Sequence, residues 1–430
     1  MKFISIKEAM KKGSGKVAVR GWVYRSRGSN KMKFIVLRDS SQTIQCVIKR
    51  ENFEDQWEEI DKLQVEASVE IEGIIKADKR APTGYEIDVS EFVLVGESDE
   101  FPLNQDSTEG IQADNRHLHL RNSKMIAIMK IRSRYVQARE EFFIKEKFYR
   151  FDTPVLQPTQ SEGGSTVFEV KYYNSKSYLA QTWQLYGEAV IFALEKVYNM
   201  GPTFRAEKSN TSRHLSEFWM AEMEVAWWNL EEVTEFAKKE IKYCIEVVAK
   251  DCVEEFKLLG VDVKNLLKIA KAKWPTIKYR EALSILKKKD GMKVMFGKDL
   301  RTIEEQKLMQ HFETPVVVTH YPREVMAFYK PQDPKVKDEA LCFDMLAPGC
   351  GLEIVGGSER SLDVKDMSER LKKDKEDPKN YQFYFDLRKY GSVPHSGYGV
   401  GVERVIQWIC GLDTIKEAIG FPRTMTRWTP

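Results

Sequence analysis

The sequence predicts an α+β protein: a small closed β-barrel first, then a larger, mainly antiparallel sheet flanked by helices. Three observations lead there. Five short β-patterned runs fill the first hundred residues. Two long stretches with apolar residues at helical spacing follow them. The later strand-like runs are not separated by regular helices, which argues against a doubly wound parallel sheet.

The five N-terminal runs are Lys16–Tyr24, Lys33–Asp39, Thr43–Lys49, Ser68–Ala77 and Tyr85–Val95, broken by Gly, Ser, Asn and Pro clusters. A five-stranded barrel of the oligonucleotide-binding type is the simplest closure for that count. Side-chain alternation sends Val17, Val19, Val23, Ile35, Leu37, Ile44, Cys46 and Ile48 inward. Arg20, Trp22, Tyr24, Phe34, Val36, Arg38 and Gln45 are then expected outside, a surface on which single-stranded bases can stack. Residues 1–50 hold 13 Lys/Arg against 2 Asp/Glu, a local charge of +11 in a chain of net charge +3. A basic barrel with exposed rings favours a nucleic-acid partner over a barrel that is merely a spacer.

Residues 99–123 read as a polar connector between a domain at 1–98 and one at 124–430. Lys124–Phe148 shows helical spacing through Met125, Ile128, Ile131, Tyr135, Ala138 and Phe142. Phe151–Leu156 reads as a strand with Pro154 inside it, hence an edge or interface position. A second helix is expected from Leu230 to Leu259, with Val233, Ile241, Cys244, Val248, Cys252 and Phe256 on its apolar stripe. Short strands follow at Val316–His320, Ala340–Leu346 and Leu352–Gly356, and Lys372–Lys379 is a charge run suited to a solvated loop. Six cysteines without a C-x-x-C pair indicate neither a zinc site nor a disulfide framework. No apolar run approaches membrane-spanning length, so a cytoplasmic protein with free thiols is expected.

The chemistry concentrates in two places. Arg205 and Glu207 alternate on an expected strand, and Phe218, Met220, Glu222 and Glu224 share one face of the strand that returns. The loop between carries Lys208, Arg213 and His214, placed to meet phosphates. Burying this many charges together is costly unless each is paired, so a charged ligand explains them more economically than a structural network. Further along, glycines 397, 399 and 401 lead into a helix with Arg404 on its first turn. That places close backbone and a helix N-terminus beside an anion, although the spacing is not that of a dinucleotide fold. Three arginines and a ring suit a bent ATP: bidentate donors for phosphate, a ring and a guanidinium plane for adenine. Asp344 and Glu353 are carboxylates that a hard cation could use, magnesium on ATP phosphates being the natural one.

Residues 151–156, 204–224 and 397–404 resemble the three signature motifs of class II aminoacyl-tRNA synthetases, and the barrel is similar to the anticodon-binding domain of the subgroup charging Asp, Asn and Lys. Within it the pattern is closest to the asparaginyl family of archaeal or eukaryotic type. The resemblance implies an ATP-dependent ligase that joins L-asparagine to tRNA(Asn), works with Mg2+ and forms a homodimer with Pro154 at the two-fold interface. It implies that Arg205 binds the α-phosphate, and that Glu207 and Phe218 hold the adenine. Arg404 would cover the other face of the adenine and reach the γ-phosphate with Arg213 and His214, while Asp344 and Glu353 would hold magnesium. Glu162 and Gln184 resemble the groups holding the substrate α-ammonium, and Arg25, Phe34 and Gln45 the anticodon readers.

For the amino acid, the resemblance puts Arg360 and Glu222 at the distal end of the substrate side chain, with no ammonium group joining them. An Arg donor with a Glu acceptor fits asparagine; aspartate, alone or together with asparagine, stays the alternative. Where aspartyl enzymes carry a lysine this chain has Gly187, and Trp183 stands where the family is usually small. An amidating paralogue and a catalytically dead RNA-binding protein are further alternatives. The barrel argues against the first and the retained charged residues against the second.

Overall fold

The computed structural model describes residues 1–104, 106–161, 167–209, 211–349 and 351–430. The chain divides into two compact units, Met1–Asn115 and Arg116–Pro430.

In the first unit, β1 (Gly15–Ser29), β2 (Met32–Arg38), β3 (Thr43–Lys49), β4 (Ser68–Ala77) and β5 (Tyr85–Gly96) close into a barrel in the order β1-β2-β3-β5-β4. The inward valines, isoleucines and leucines expected from alternation are all buried, together with Cys46. The register shifts between Val23 and Arg25, so Trp22 pairs with Arg38, Arg25 with Val36 and Arg27 with Phe34. This bulge at Tyr24 brings Arg25 onto the face of Trp22 and Phe34, because directly opposed residues share a face. Two outward expectations fail. Gln45 is only 6% exposed, because its amide nitrogen donates to Glu86 Oε2 at 3.0 Å and β5 covers it. Arg38 is buried too, its Nη2 donating to Glu66 Oε2 at 2.9 Å.

The second unit is built on an eight-stranded sheet and a three-stranded one. Its strands are β6 (Tyr149–Arg150), β7 (Leu156–Gln157), β8 (Glu169–Tyr172), β9 (Ser175–Leu179), β10 (Lys196–Phe204), β11 (Glu217–Ala226), β12 (Thr276–Lys278), β13 (Val316–Thr319), β14 (Cys342–Leu346), β15 (Glu353–Glu359) and β16 (His395–Gly401). The large sheet runs β12-β13-β14-β15-β16-β11-β10-β6, antiparallel except at its two end pairs; the small one runs β7-β9-β8. Helices Ser123–Lys145 and Leu230–Asp251 share an apolar core with the large sheet, through Ile131, Tyr135, Phe142, Val233, Ile241 and Val248.

Two elements differ from expectation. The expected strand 151–156 is split, with β6 before it and β7 at its end. Pro154 cannot donate to a ladder, and the Phe151 carbonyl is taken by the Trp183 indole and the Asn199 amide. The expected helix 230–259 breaks at Cys252, whose φ of −115° and ψ of 37° leave the helical region, and resumes as Val253–Leu258. Among the described residues no helix is long and apolar enough to cross a membrane.

Candidate active site

Glu217 through Val225 pair with Phe204 through Lys196, and β16 lies on the other side of β11. That arrangement puts Phe218, Met220, Glu222 and Glu224 on one face, above the glycines of β16. Two adjoining cavities of about 190 and 330 Å³ lie there, and Arg205, Met220, Glu353 and Gly399 line both. Glu207, Arg213, His214, Phe218 and Arg404 line the first; Gln184, Glu222, Asp344 and Arg360 line the second. Glu162 lies outside the described residues.

The first cavity is lined by three arginines, Arg205, Arg213 and Arg404, against Glu207, Glu353 and Glu403, with the Phe218 ring and the His214 imidazole beside them. Arg205 follows the end of β10 rather than lying on it, and Glu207 is in the loop beyond, yet both face this cavity. The Arg205 guanidinium sits 5.5 Å from the Phe218 centroid, and its buried Nε has no hydrogen-bond partner among the described residues. Arg404 Nη1 donates to the Glu353 carbonyl at 2.9 Å and to Oε2 at 3.1 Å. Burial depresses the His214 pKa, and Arg404, Arg205 and Arg213 add to the effect against Glu207. His214 Nδ1 contacts the Thr211 hydroxyl at 2.6 Å, so the ring is oriented by its own loop.

The second cavity is lined by opposite charges. Arg360 and Glu222 both reach it, but they do not pair with each other. Arg360 Nε donates to Glu224 Oε2 at 3.1 Å and Nη2 to Oε1, while Nη1 donates to Ser358 Oγ at 2.8 Å. Glu222 accepts instead from the Thr182 hydroxyl and, at 2.7 Å, from the Trp183 backbone N–H. Behind Arg360, Glu188 accepts from Arg388 Nη2 at 2.6 Å and lies 3.0 Å from His395 Nε2. Burial alone would raise the Glu188 pKa; Arg388, His395 and Arg360 more than offset it, and it is held far below the usual range. Glu224 is pushed the other way by burial, Arg360 opposing and Glu188 and Glu222 reinforcing.

Three features escaped the sequence reading. Glu224 already shared the face of Glu222 by alternation, but its partner lies 136 residues away. An ammonium group does line the second cavity: Lys330, whose charge acts on Asp344, Glu353 and Asp299. Gly397 was expected to let backbone approach a ligand. A Cβ there would instead fall 2.2 Å from Glu224 Oε1, so the glycine makes room for the protein's own carboxylate.

Oxygen donors for a hard cation are present. A Cβ on Gly356 would lie 2.9 Å from Glu353 Oε1 and 3.4 Å from Asp344 Oδ1, so both carboxylates reach over the same glycine. Burial and Glu353 raise the Asp344 pKa well above its usual value, which is the expected result where two carboxylates share a site without a cation between them.

The family of class II tRNA synthetases (D, K and N) matches residues 108–425, and an OB-fold nucleic acid binding domain matches 17–95. An asparagine–tRNA ligase of Thermoplasma acidophilum is 41% identical over 430 residues, covering 99% of this chain and all of the relative. This chain belongs to the asparagine–tRNA ligase family. The asparaginyl-tRNA synthetase of Pyrococcus horikoshii complexed with asparaginyl-adenylate covers both chains fully at 39% identity and a TM-score of 0.95. That of Entamoeba histolytica, also in complex with asparaginyl-adenylate, matches 97% of each chain at 29% identity and a TM-score of 0.87. Aspartate, the other substrate left open by the sequence, is not favoured.

Proposed function

We propose that this protein activates L-asparagine with ATP to asparaginyl-adenylate and pyrophosphate, then transfers the asparaginyl group to tRNA(Asn). The observation that carries the reading is Arg205. It stands on the boundary of the two cavities, with a buried N–H that no described protein group accepts. That boundary is where the α-phosphate of ATP must meet the substrate carboxylate.

In this reading ATP lies in the first cavity, its adenine between Phe218 and the Arg404 plane and its amino group donating to Glu207. Arg404, Arg213 and His214 face the outer phosphates. Asparagine lies in the second cavity, its α-ammonium held by Gln184 and Glu162 and its side chain between Arg360 and Glu222. A carboxylate oxygen attacks the α-phosphorus, the bond to pyrophosphate breaks, and Arg205 stabilises the charge gathered on the phosphoryl oxygens. No protein nucleophile is required, so catalysis rests on orientation and charge. The tRNA terminal hydroxyl then attacks the acyl carbon and AMP leaves. Magnesium held by Asp344 and Glu353 would neutralise phosphate charge.

The barrel face with Arg25 and Phe34 suits anticodon bases, Arg27 lying 5.5 Å over the Phe34 ring. Gln45 reaches such bases only if it leaves Glu86. Exposed Ile144, Tyr149, Phe151, Val155 and Leu156 beside Pro154 support a homodimer interface. Buried free thiols such as Cys244 and Cys410 suit the cytoplasm. ATP–pyrophosphate exchange with asparagine against aspartate tests the reading; exchange that prefers aspartate would overturn it.

A further inference from the structure

Trp183 stands directly before helix Gln184–Leu194 and gives that helix no side-chain cap. Its polar atoms are used elsewhere. The backbone N–H donates to Glu222 Oε1 at 2.7 Å, and the indole Nε1 donates to the Phe151 carbonyl at 2.8 Å. The Asn199 amide holds that same carbonyl at 3.0 Å. The six-membered part of the ring lies on Gly187, where a Cβ would fall 2.3 to 2.6 Å from Cζ3, Cη2 and Cε3. The ring is 5% exposed and packs with Ile191, Val197 and Ala226.

These contacts act on one backbone group. The indole is pinned at its N–H end by Phe151 and at its broad face by a residue without a side chain, so neither χ angle of Trp183 can change. With its Cα anchored through the ring, the residue has little room to swing the peptide N–H that donates to Glu222. Gly187 is part of the same device: even a methyl group would displace the ring, and the residues behind it are buried.

We propose that Trp183, seated on Gly187, is a positioning residue for the amino-acid site. It fixes the backbone N–H that orients the Glu222 carboxylate toward the distal amide of the substrate. The inference rests on the asparagine reading above and deepens it.

The test is pyrophosphate exchange on the full-length enzyme, with asparagine, aspartate and ATP each varied. Wild type is measured first; no asparagine-dependent exchange there would overturn the functional reading itself. Trp183→Phe removes the indole N–H but keeps a ring, and Gly187→Ala pushes on the ring from below. Each is expected to raise the asparagine KM roughly tenfold, because a small misplacement of a group facing substrate is expensive. The ATP KM stays close to wild type, the thermal midpoint falls by no more than several degrees as the buried contacts adjust, and the preference for asparagine over aspartate falls by a similar factor to the rise in asparagine KM. Gly187→Leu is expected to lose asparagine binding and to recover part of it when combined with Trp183→Ala, which vacates the same volume. An unchanged asparagine KM in both Trp183→Phe and Gly187→Ala would overturn the inference. So would equal losses for asparagine and ATP, since those mark general damage to the fold.

Discussion

Arg360 and Glu224 form a two-pronged ion pair with both partners buried, each guanidinium prong meeting one carboxylate oxygen. Ser358 takes a third donor. Of the five N–H groups of an arginine, one on each Nη is left over by these contacts. The pair therefore holds Arg360 in one buried orientation, and in the proposed reading its remaining N–H groups meet the side-chain oxygen of the substrate. Glu222, held by Thr182 and Trp183, would supply the acceptor in that reading. Selectivity for a carboxamide would then rest on Arg360 as donor and Glu222 as acceptor, each immobilised by a different part of the chain.

Glu224→Ala is expected to strip Arg360 of this support. Removing one partner of a buried pair costs about 3–5 kcal/mol, because the remaining charge stays without its counterpart. Glu188, 3.8 Å from Arg360 Nε, softens but does not replace the loss. Denaturant unfolding measures the destabilisation, and asparagine-dependent exchange should fall with it. A variant as stable as wild type would show that the pair is not a support.

Arg205→Ala should separate chemistry from folding. Among the described residues its Nε has no hydrogen-bond partner, so little stability is expected to depend on it. In the proposed reading it stabilises charge on the phosphoryl oxygens, and losing one such preorganised donor costs on the order of 10²–10³ in rate. Exchange should drop by at least that factor while the thermal midpoint holds. Near-normal exchange would remove Arg205 from the reaction.

Local pattern carried much of this. The barrel strands were spelled by turn residues and alternation, and Phe218, Glu222 and Glu224 sit on the face that alternation assigned. What stayed hidden depends on partners far away in the chain. Gln45 is buried because Glu86 and β5 meet it across 41 residues, and no local signal announces that. The bulge at Tyr24 moves Arg25 to the face of Trp22, which plain alternation cannot foresee. Trp183 and Gly187 each looked like a separate oddity; only their contact shows one accommodating the other.

Glu222→Gln should shift preference away from asparagine. Both carboxylate oxygens accept from protein donors, so an amide NH2 at this position must face either the Thr182 hydroxyl or the Trp183 N–H. Facing Trp183 the amide must turn, and facing Thr182 it reverses that hydrogen bond; either way a neutral, weaker acceptor replaces the carboxylate offered to the substrate amide. Sites built to bond a polar group discriminate by up to about 10⁴–10⁵, so a loss of one to two powers of ten in asparagine over aspartate is expected. Exchange kinetics with both amino acids measure it, and an unaltered ratio would take Glu222 out of the recognition.

Proton uptake should accompany ATP binding, through His214. Burial, with Arg404, Arg205 and Arg213, depresses its pKa below the ordinary 6.5, so the free enzyme holds a neutral ring at neutral pH. In the free protein the unfolded chain takes the proton more readily, and this histidine lowers stability as pH falls through 6.5. Phosphates entering the first cavity reverse the balance by favouring the imidazolium. ATP affinity is therefore expected to rise a few-fold as pH is lowered from about 8 to about 6, as the linkage of binding to protonation requires. Calorimetry in two buffers of different ionisation heat reads the proton directly. His214→Gln should bind ATP with no proton uptake, and a variant that takes up protons as wild type does would assign the effect to another group.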